Sequence, residues 1–195
     1  FDGVLKAYKR PARMLKDGQE LAIPGEAIFQ EAYGHSVEVS GLGQLEAYPN
    51  GDAIHYIDVF DLGGHIRDMG RFALRYPGHS RFWSAMAQLG FLDDDPVEVD
   101  GLPVSPRRFL VSRLTPQLQF ADDERDMVVL RVNAWGLKDG KERRVTYNLM
   151  DYRDLATGLF AMNRTVGYTA SIGAQMILDG RIAGAGVLSP TRDVP

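Results

Sequence analysis

Hydrophobic and polar positions alternate in several short runs along the first half of the chain. This period of two is typical of half-buried strands, and glycine and proline between the runs mark turns. The alternation predicts a strand at Ser36–Val39, and the turns that bound three further runs predict strands at Glu20–Ile23, Gln44–Tyr48 and Arg71–Tyr76. A fifth run, Ile54–Phe60, is rich in β-branched and aromatic residues, and it predicts another strand or a short extended segment.

A spacing of three to four residues between apolar positions predicts helices elsewhere. After Ser80, a predicted N-cap, three apolar residues fall on one helix face: Phe82, Met86 and Leu89. Ser105 is followed by a proline, which suits the first position of a second helix. Val4–Leu15 predicts a short helix interrupted by its proline, and Thr169–Asp179 predicts the last helix.

The clearest strand signal is the segment MVVLRVNAWGLKDGKERRVTYNLMDY. Two runs rich in β-branched and aromatic residues flank an Asp-Gly pair, which favours the tight turn of a hairpin. Strands outnumber helices, and the two are mixed along the chain. We therefore predict an α+β fold with a mixed, mostly antiparallel sheet, helices packed on one face, and a C-terminal helix followed by a glycine-rich tail.

Composition narrows the classes of function. The 195 residues are 45% hydrophobic and 25% charged, with a formal net charge of −4, as in ordinary globular domains. Basic residues form no stripe, so we expect neither nucleic acid nor a membrane as a partner. The chain has no cysteine, which excludes disulfides, thiolate metal sites and a cysteine nucleophile. This absence fits a reducing compartment, and we expect a cytoplasmic protein.

Several motifs of nucleotide and metal chemistry are absent or incomplete. Gly184–Ser189 has the glycines of a dinucleotide-binding turn, but too few residues follow for its helix. Gly41–Gly43 lacks a third glycine. No two histidines have metal-ligand spacing, so a metal-dependent hydrolase is a distant alternative. We predict no catalytic, cofactor-binding or metal-binding residue within the chain itself.

Charged residues outside these motifs are predicted to be solvated. They are the acidic run Asp93–Asp95 and the pairs Arg107-Arg108 and Arg143-Arg144. The segment Leu74–His79 is different, because a strand there ends in a cation and a helix begins soon after. A guanidinium at Arg75 and the N-terminus of a helix both favour an anion such as a substrate carboxylate. The alternative is a structural corner in which Arg75 forms an ion pair.

The order of four motifs, GLGQLEAYPNGDAIHYIDVF, RFALRYPGH, FWSAMAQLGFLDDDPV and VSPRRFL, resembles the C-terminal region of the saccharopine dehydrogenase-like family. The opening GVLKAYKRPARMLKDGQELAIPG and the closing MNRTVGYTASIGAQMILDGRIAGAGVLSPTRDVP are similar too, so the resemblance covers nearly the whole chain. It implies a substrate-binding and dimerisation domain at residues 1–165. It also implies that the helix and tail at 166–195 pack toward an absent N-terminal Rossmann domain. The start at Phe1 rather than Met also indicates a fragment.

The resemblance implies an activity for the full-length protein. Members of this family oxidise or reduce C–N bonds of amino acids, as saccharopine reductase and lysine 6-dehydrogenase do in lysine metabolism. The chain is then an oxidoreductase fragment that is inactive alone, binds a small amino-acid substrate and forms a homodimer. NAD or NADP would bind outside it. The alternative is a non-catalytic dimerisation module that retains the fold.

The resemblance also assigns a candidate substrate site. Saccharopine reductases typically read YPNRDS and RGTLRY where this chain reads YPNGDA and RFALRY. Leu74 and Arg75 match substrate-contacting residues of the family, whereas Gly51 replaces an arginine and Ala73 replaces a threonine. Because the lost arginine would clamp a carboxylate, we expect a substrate with fewer carboxylates than the three of saccharopine. The candidate residues, with Arg75 as the carboxylate anchor, are Tyr48, Asn50, Gly51, Asp52, Ala73, Leu74, Arg75, Tyr76 and His79.

Overall fold

In the computed structural model, which describes residues 1–195, every pair of neighbouring strands runs antiparallel. The strands are β1 Ala12–Lys16, β2 Gln19–Ile23, β3 His35–Val39, β4 Gly43–Pro49, β5 Phe72–Arg75, β6 Val97–Val99, β7 Leu102–Val104, β8 Met127–Lys138 and β9 Lys141–Tyr152. They form four small sheets, which are β1–β2, β3–β4–β5, β6–β7 and β8–β9.

Six helices lie among these strands. They are α1 Asp2–Ala7, α2 His55–Val59, α3 His79–Gln88, α4 Pro106–Leu114, α5 Ala161–Leu178 and α6 Pro190–Asp193, with 3₁₀ turns at Gly25–Ala27 and Thr115–Gln117. The predicted α+β class with antiparallel pairing is confirmed. None of these helices is long and apolar enough to cross a membrane. The chain divides into two compact units, Phe1–Leu118 and Gln119–Pro195.

The hydrophobic core of the first unit takes residues from nearly all of its larger elements. In β1, Ala12 and Met14 are buried and Arg13 between them is exposed, because alternate side chains of a strand point to opposite faces. The buried members of the core are Leu5, Tyr8, Ala12, Met14, Ile23, Ala27, Ile28, Phe29, Tyr48, Trp83, Leu92 and Leu110. The core therefore includes one residue of the candidate site, Tyr48.

Two segments differ from their predicted structure. Val4–Leu15 is not one interrupted helix, because the chain passes from α1 into β1 around Pro11, which cannot continue a helix. Ile54–Phe60 is not a strand, because it forms the short helix α2. The backbone N–H of Ile54 donates to Oδ1 of Asp52 at 2.9 Å, so an acidic side chain closes the turn that leads into the helix. This local hydrogen bond outweighs the strand propensity of the segment.

Helix α3 buries a different stripe from the one that its spacing indicated. Trp83 is buried, and Met86 and Ala87 pack against the core beside it. Phe82 and Leu89, which were predicted to share a face with Met86, are 55% and 72% exposed. The apolar positions of this helix form overlapping stripes, and the contacts of the large Trp83 ring decide which stripe faces inward.

Arg107 was expected on an exposed helix face and is instead buried in the first unit. It forms an ion pair with Asp2, and its Nη2 lies 2.8 Å from Oδ1 of Asp94. Lys9 pairs with the adjacent Asp93. Asp94 and Asp95 of the acidic run are exposed, as predicted, and Asp93 and Asp94 form ion pairs as well. The ion pair that joins α1 to α4 is the one between Asp2 and Arg107.

The predicted start of α4 and the predicted hairpin are confirmed. Ser105 is the N-cap, and its hydroxyl accepts the backbone N–H of Arg108 at 3.3 Å. The hairpin strands β8 and β9 are joined by Asp139 and Gly140, whose φ values are 54° and 72°. Positive φ at both positions is the requirement of a type I′ turn.

The C-terminal segment is more helical than predicted. Helix α5 begins at Ala161 rather than at Thr169, because Asp126 accepts the backbone N–H groups of Ala161 at 2.7 Å and of Met162 at 3.3 Å. The glycine-rich tail, which was expected to leave no room for a helix, ends in the one-turn helix α6 with proline at its first position. The packing of residues 166–195 toward a Rossmann domain stays a prediction.

Candidate functional site

The register between β4 and β5 places part of the candidate site on one face of the sheet. Tyr48 lies opposite Ala73, and Glu46 lies opposite Arg75. Directly opposed residues of an antiparallel pair share a face, and alternate residues along a strand do too. The face of Tyr48 therefore also carries Ala73, Glu46 and Arg75.

His79, the first residue of α3, lies against this face. Its ring stacks on the Tyr48 ring with 6.0 Å between centroids and 9° between planes. Further aromatic rings surround the pair. The centroid of the His79 ring lies 5.4 Å from that of Tyr8 and 6.2 Å from that of Trp83. Nε2 of His79 is buried and has no hydrogen-bond partner. A buried polar atom without a partner is destabilising, and it would be stabilised by gaining one.

Burial sets the charge of both rings. Desolvation raises the pKa of the Tyr48 hydroxyl to about 12, so the phenol keeps its proton at neutral pH. Desolvation, followed by the nearby Arg75 cation, lowers the pKa of His79 to about 4, although Glu46 opposes this shift. The imidazole is therefore neutral at pH 7, and neither ring adds charge to the site.

Glu46 caps the N-terminus of α3. Its carboxylate accepts the backbone N–H of Gly78 at 2.6 Å and that of Ser80 at 2.9 Å. Desolvation alone would raise the pKa of Glu46, but these two N–H groups outweigh it and lower that pKa. The N-cap of α3 is Gly78 rather than the predicted Ser80. The N-terminus of α3 was expected to attract a substrate anion, but the Glu46 carboxylate already occupies it. That part of the prediction is wrong.

Arg75 is the half-buried cation of the same face. Its guanidinium carbon lies 5.9 Å from the centroid of the Tyr48 ring, and its Nη1 donates to the carbonyl of Leu74 at 2.7 Å. Glu46 lies directly opposite, but its carboxylate is bound to the start of α3. The structural ion pair that was the alternative for Arg75 is therefore absent, and the guanidinium keeps N–H groups for an external acceptor.

Three predicted site residues lie elsewhere. Leu74 pairs with Ala47 on the opposite face of the sheet, and Tyr76 is 60% exposed beyond the end of β5. Asp52 forms an ion pair with Arg13 at 2.8 Å, in addition to its bond with the N–H of Ile54. Its carboxylate is therefore engaged in holding the turn to β1.

Asn50 and Gly51 lie in the turn that follows β4. The backbone N–H of Asn50 donates to the carbonyl of Arg71 at 2.9 Å, which continues the β4–β5 ladder beyond its last paired residues. Gly51 has a φ of 79°, which glycine adopts without strain. A Cβ at this position would lie 3.3 Å from Nη1 of Arg71. The Arg71 guanidinium is thus beside the turn, a placement that we did not predict.

The largest helix face near the candidate site, that of α3, borders a groove. An open groove of about 350 Å³ runs along α3 and is lined by Gly78, Arg81, Phe82, Ala85 and Met86. None of the nine predicted residues lines it. The structure has no group of three or more acidic or histidine side chains that could hold a metal ion.

The fold and this site define an α+β domain with an unpaired arginine on the face of a small antiparallel sheet. Comparison with protein families gives a match between residues 1–194 and the family described as "Saccharopine dehydrogenase C-terminal domain". The chain belongs to this family, which confirms the resemblance inferred from its motifs.

Individual relatives agree with this assignment. The chain is 26% identical to the saccharopine dehydrogenase [NADP(+), L-glutamate-forming] of Saccharomyces cerevisiae, over 96% of this chain and 54% of that protein. It is 23% identical to the mitochondrial α-aminoadipic semialdehyde synthase of Bos taurus, over 96% of this chain and 26% of that protein. A solved structure of apo saccharopine dehydrogenase (L-Glu forming) from Saccharomyces cerevisiae superposes with a TM-score of 0.80 at 26% identity, covering 97% of this chain and 56% of that one. The chain thus spans about half the length of these yeast relatives.

Proposed function

We propose that this chain is the substrate-binding and dimerisation portion of a nicotinamide-dependent amino-acid dehydrogenase that acts on a C–N bond. The observation that carries the proposal is the half-buried Arg75, which has no acidic partner although Glu46 lies directly opposite it. A guanidinium in this position binds a carboxylate through charge-assisted hydrogen bonds. An amino-acid substrate supplies such a carboxylate.

The remaining residues of the face define the environment of the bound substrate. The Tyr48 hydroxyl, protonated because burial raises its pKa to about 12, adds no charge beside Arg75. His79, neutral because burial lowers its pKa to about 4, offers an unpartnered ring nitrogen. Arg75 is then the charged group that orients the substrate on this face. Hydride transfer is the chemistry of NAD or NADP, which we place outside this chain.

The preferred substrate is an amino acid with fewer carboxylates than saccharopine. Support comes from Gly51, which carries no side chain where an arginine clamp would otherwise lie. The yeast relative named above is called saccharopine dehydrogenase, so this proposal gives the present protein a different preferred substrate. Turnover of saccharopine by the full-length protein as fast as that of lysine or of amino acids with two carboxylates would contradict it.

The role of Arg75 is tested by its replacement in the full-length protein. Arg75→Gln keeps a polar side chain but shortens it and removes the charge, so KM for the amino-acid substrate should rise about tenfold or more. Arg113→Gln, which removes a charge from the exposed part of α4, is the matched control and should leave KM unchanged. An unchanged KM in Arg75→Gln is the result that refutes the carboxylate anchor.

The dimerisation part of the proposal is supported by the β8–β9 hairpin. One of its faces carries three directly opposed apolar pairs, which are Leu130–Leu149, Val132–Tyr147 and Ala134–Val145. Leu130 is 57% and Tyr147 is 70% exposed. A contiguous apolar patch of this kind is typical of an interface between proteins. A non-catalytic dimerisation module is the second candidate function, and this same face favours it.

A further inference from the structure

The apolar face of the β8–β9 hairpin, whose centre is Val132, ends in a group of cations near the turn. The next opposed pairs on this face are Gly136–Arg143 and Lys138–Lys141. Alternate residues of a strand point to the same side, so the three basic side chains continue the apolar face. All three are exposed, and none of them forms an ion pair. We call these three residues the basic end of the face.

The other end of the same hairpin is acidic. Residues 121–126, which lead directly into β8, contain four acidic residues and one arginine, so this acidic segment has a net charge of −3. Asp122 and Asp123 are exposed and form no ion pair. Nη1 of Arg153, just after β9, donates to two backbone carbonyls of the segment, both at 2.9 Å. These hydrogen bonds hold the acidic segment at the base of the hairpin.

Val132 lies midway between the two ends. Lys138 and Asp126 are each six positions from it, which is about 20 Å along an extended chain. A twofold axis through the face at Val132, perpendicular to the strands, therefore places the basic end of one copy beside the acidic segment of the other. Such an axis creates the same contact twice, as in the isologous interfaces of symmetric dimers. The hairpin thus carries both halves of a self-complementary surface.

Charge distinguishes the two ways in which a pair of these apolar faces can be covered. If two hairpins packed with their turns together, the basic ends of both copies would meet without a carboxylate between them. Like charges brought together in an interface oppose association, whereas complementary charges fix its register. If the hairpins run in opposite directions, each basic end meets an acidic segment instead. The observed charges therefore favour the antiparallel arrangement.

We propose that the apolar hairpin face binds a second copy of this chain in the antiparallel orientation, with the basic end of each copy against the acidic segment of the other. This inference rests on the proposed function, because it takes the apolar face as the dimer interface. The apolar pairs provide contact area in either orientation. The charges at the two ends select one orientation, because only in that one are opposite charges brought together.

Reversal of charge at the basic end tests the orientation. In the full-length protein, Lys141→Glu combined with Arg143→Glu should raise the dissociation constant of the dimer about tenfold or more in sedimentation equilibrium at low salt, because acidic groups would then meet acidic groups. Lys16→Glu combined with Arg113→Glu changes the net charge equally at exposed residues of the first unit, and this control should leave the constant unchanged. Unchanged dimerisation of the first variant overturns the inference, because turns packed together would repel each other with either sign of charge.

A second reversal in the same chain provides the rescue. Asp122→Lys combined with Asp123→Lys should weaken the dimer in the same way. A chain with all four substitutions should recover the wild-type dissociation constant to within about threefold, because a negative end then meets a positive segment and the two effects are coupled. Additive losses in this fourfold variant would show that the two ends do not meet.

Salt gives a readout that a defect in folding would not produce. Dissolved ions screen exposed charges, so added NaCl should weaken the wild-type dimer, in which the charges attract. The same salt should strengthen the dimer of the Lys141→Glu and Arg143→Glu variant, in which the charges repel. A shift in the same direction for both proteins contradicts the antiparallel contact.

Val132→Glu separates these outcomes from failure of the proposed dimer interface. If Val132→Glu is monomeric while reversal of the basic end changes nothing, the apolar face is the interface and only the antiparallel orientation is refuted. If Val132→Glu dimerises as the wild type does, or if the wild type is itself a monomer, the interface is refuted together with this inference.

Discussion

Among the residues of the candidate site, the surroundings of a side chain decide its charge. His79 is an ordinary histidine in the sequence, but it packs among the rings of Tyr48, Tyr8 and Trp83 and near the Arg75 cation. Burial removes the water that would solvate an imidazolium, and the neighbouring cation repels it. The result is a neutral ring with a free nitrogen.

The pKa of His79 predicts a specific loss of stability in mild acid. Its pKa of about 4 lies below the ordinary value of 6.5, so the unfolded chain binds the proton more readily. His79 therefore contributes no destabilisation above pH 6.5. The free energy of unfolding falls as the pH falls from 6.5 toward 4, because the unfolded chain then binds a proton that the folded chain does not. The thermal unfolding midpoint of the wild-type protein should fall between pH 7 and pH 5, and His79→Gln should fall less.

Glu46 acts in a lower range and serves as the internal comparison. Its pKa is lowered from 4.5 by the N–H groups at the start of α3, so its contribution is lost only below that value. NMR titration of the histidine ring protons gives the direct measurement. A midpoint for His79 near 6.5 would contradict its placement among the rings.

At the scale of secondary-structure elements, adjacent residues of one helix have different environments. Arg107 of α4 is buried and reaches both Asp2 and Asp94, while the side chain of Arg108 is 78% exposed. A buried cation whose partners are removed is strongly destabilising, whereas an exposed ion pair contributes little. The ion pairs of Arg107 therefore stabilise the contact between α1 and α4.

Replacing each of the two arginines by alanine should change the stability of the protein by different amounts. Arg107→Ala should lower the free energy of unfolding by about 2–4 kcal/mol, because it removes the buried guanidinium that pairs with both Asp2 and Asp94 and opens space beside the core. Arg108→Ala, the matched control one residue away, should lower it by less than about 0.5 kcal/mol. Chemical denaturation followed by circular dichroism measures both. Equal losses in the two variants would show that Arg107 has no special role.

At the scale of the whole molecule, the two compact units differ in how much they bury. Residues 1–118 contain the aromatic and aliphatic core, whereas only Ala161, Met176 and Ile182 are buried among the hydrophobic residues of 119–195. A two-stranded hairpin is marginally stable by itself in water. Helix α5 packs against part of the β8–β9 hairpin, and our proposal is that a second copy of the chain covers its exposed apolar face.

A charge on the apolar hairpin face should break the dimer. Val132→Glu places a carboxylate in the centre of the face formed by Leu130, Val132 and Ala134, where association would have to desolvate it. The full-length protein should then shift from dimer to monomer in sedimentation equilibrium. Asn148→Glu, which lies on the opposite face, is the control and should stay dimeric. A dimeric Val132→Glu protein with unchanged secondary structure would exclude this face as the interface.

Much of the candidate site could be proposed from the sequence, but its contacts could not. Tyr48, Ala73 and Arg75 lie at alternate positions of two predicted strands, so a shared face follows once the strands pair in register. The pairing itself brings together residues that are far apart along the chain. For that reason neither the capping of α3 by Glu46 nor the position of Arg71 beside Gly51 was predicted.

Local physics explains what the sequence by itself determined about this protein. The hairpin, the capped start of α4 and the α+β class depend on turn conformation, capping and periodicity, all of which act over a few neighbouring residues. Only the tertiary structure decided that Arg107 is buried, that α3 turns Trp83 inward and that Arg75 has no acidic partner. Those outcomes depend on which of several available charges and apolar stripes meet in space, because burial and ion pairing are set by long-range contacts that no short segment contains.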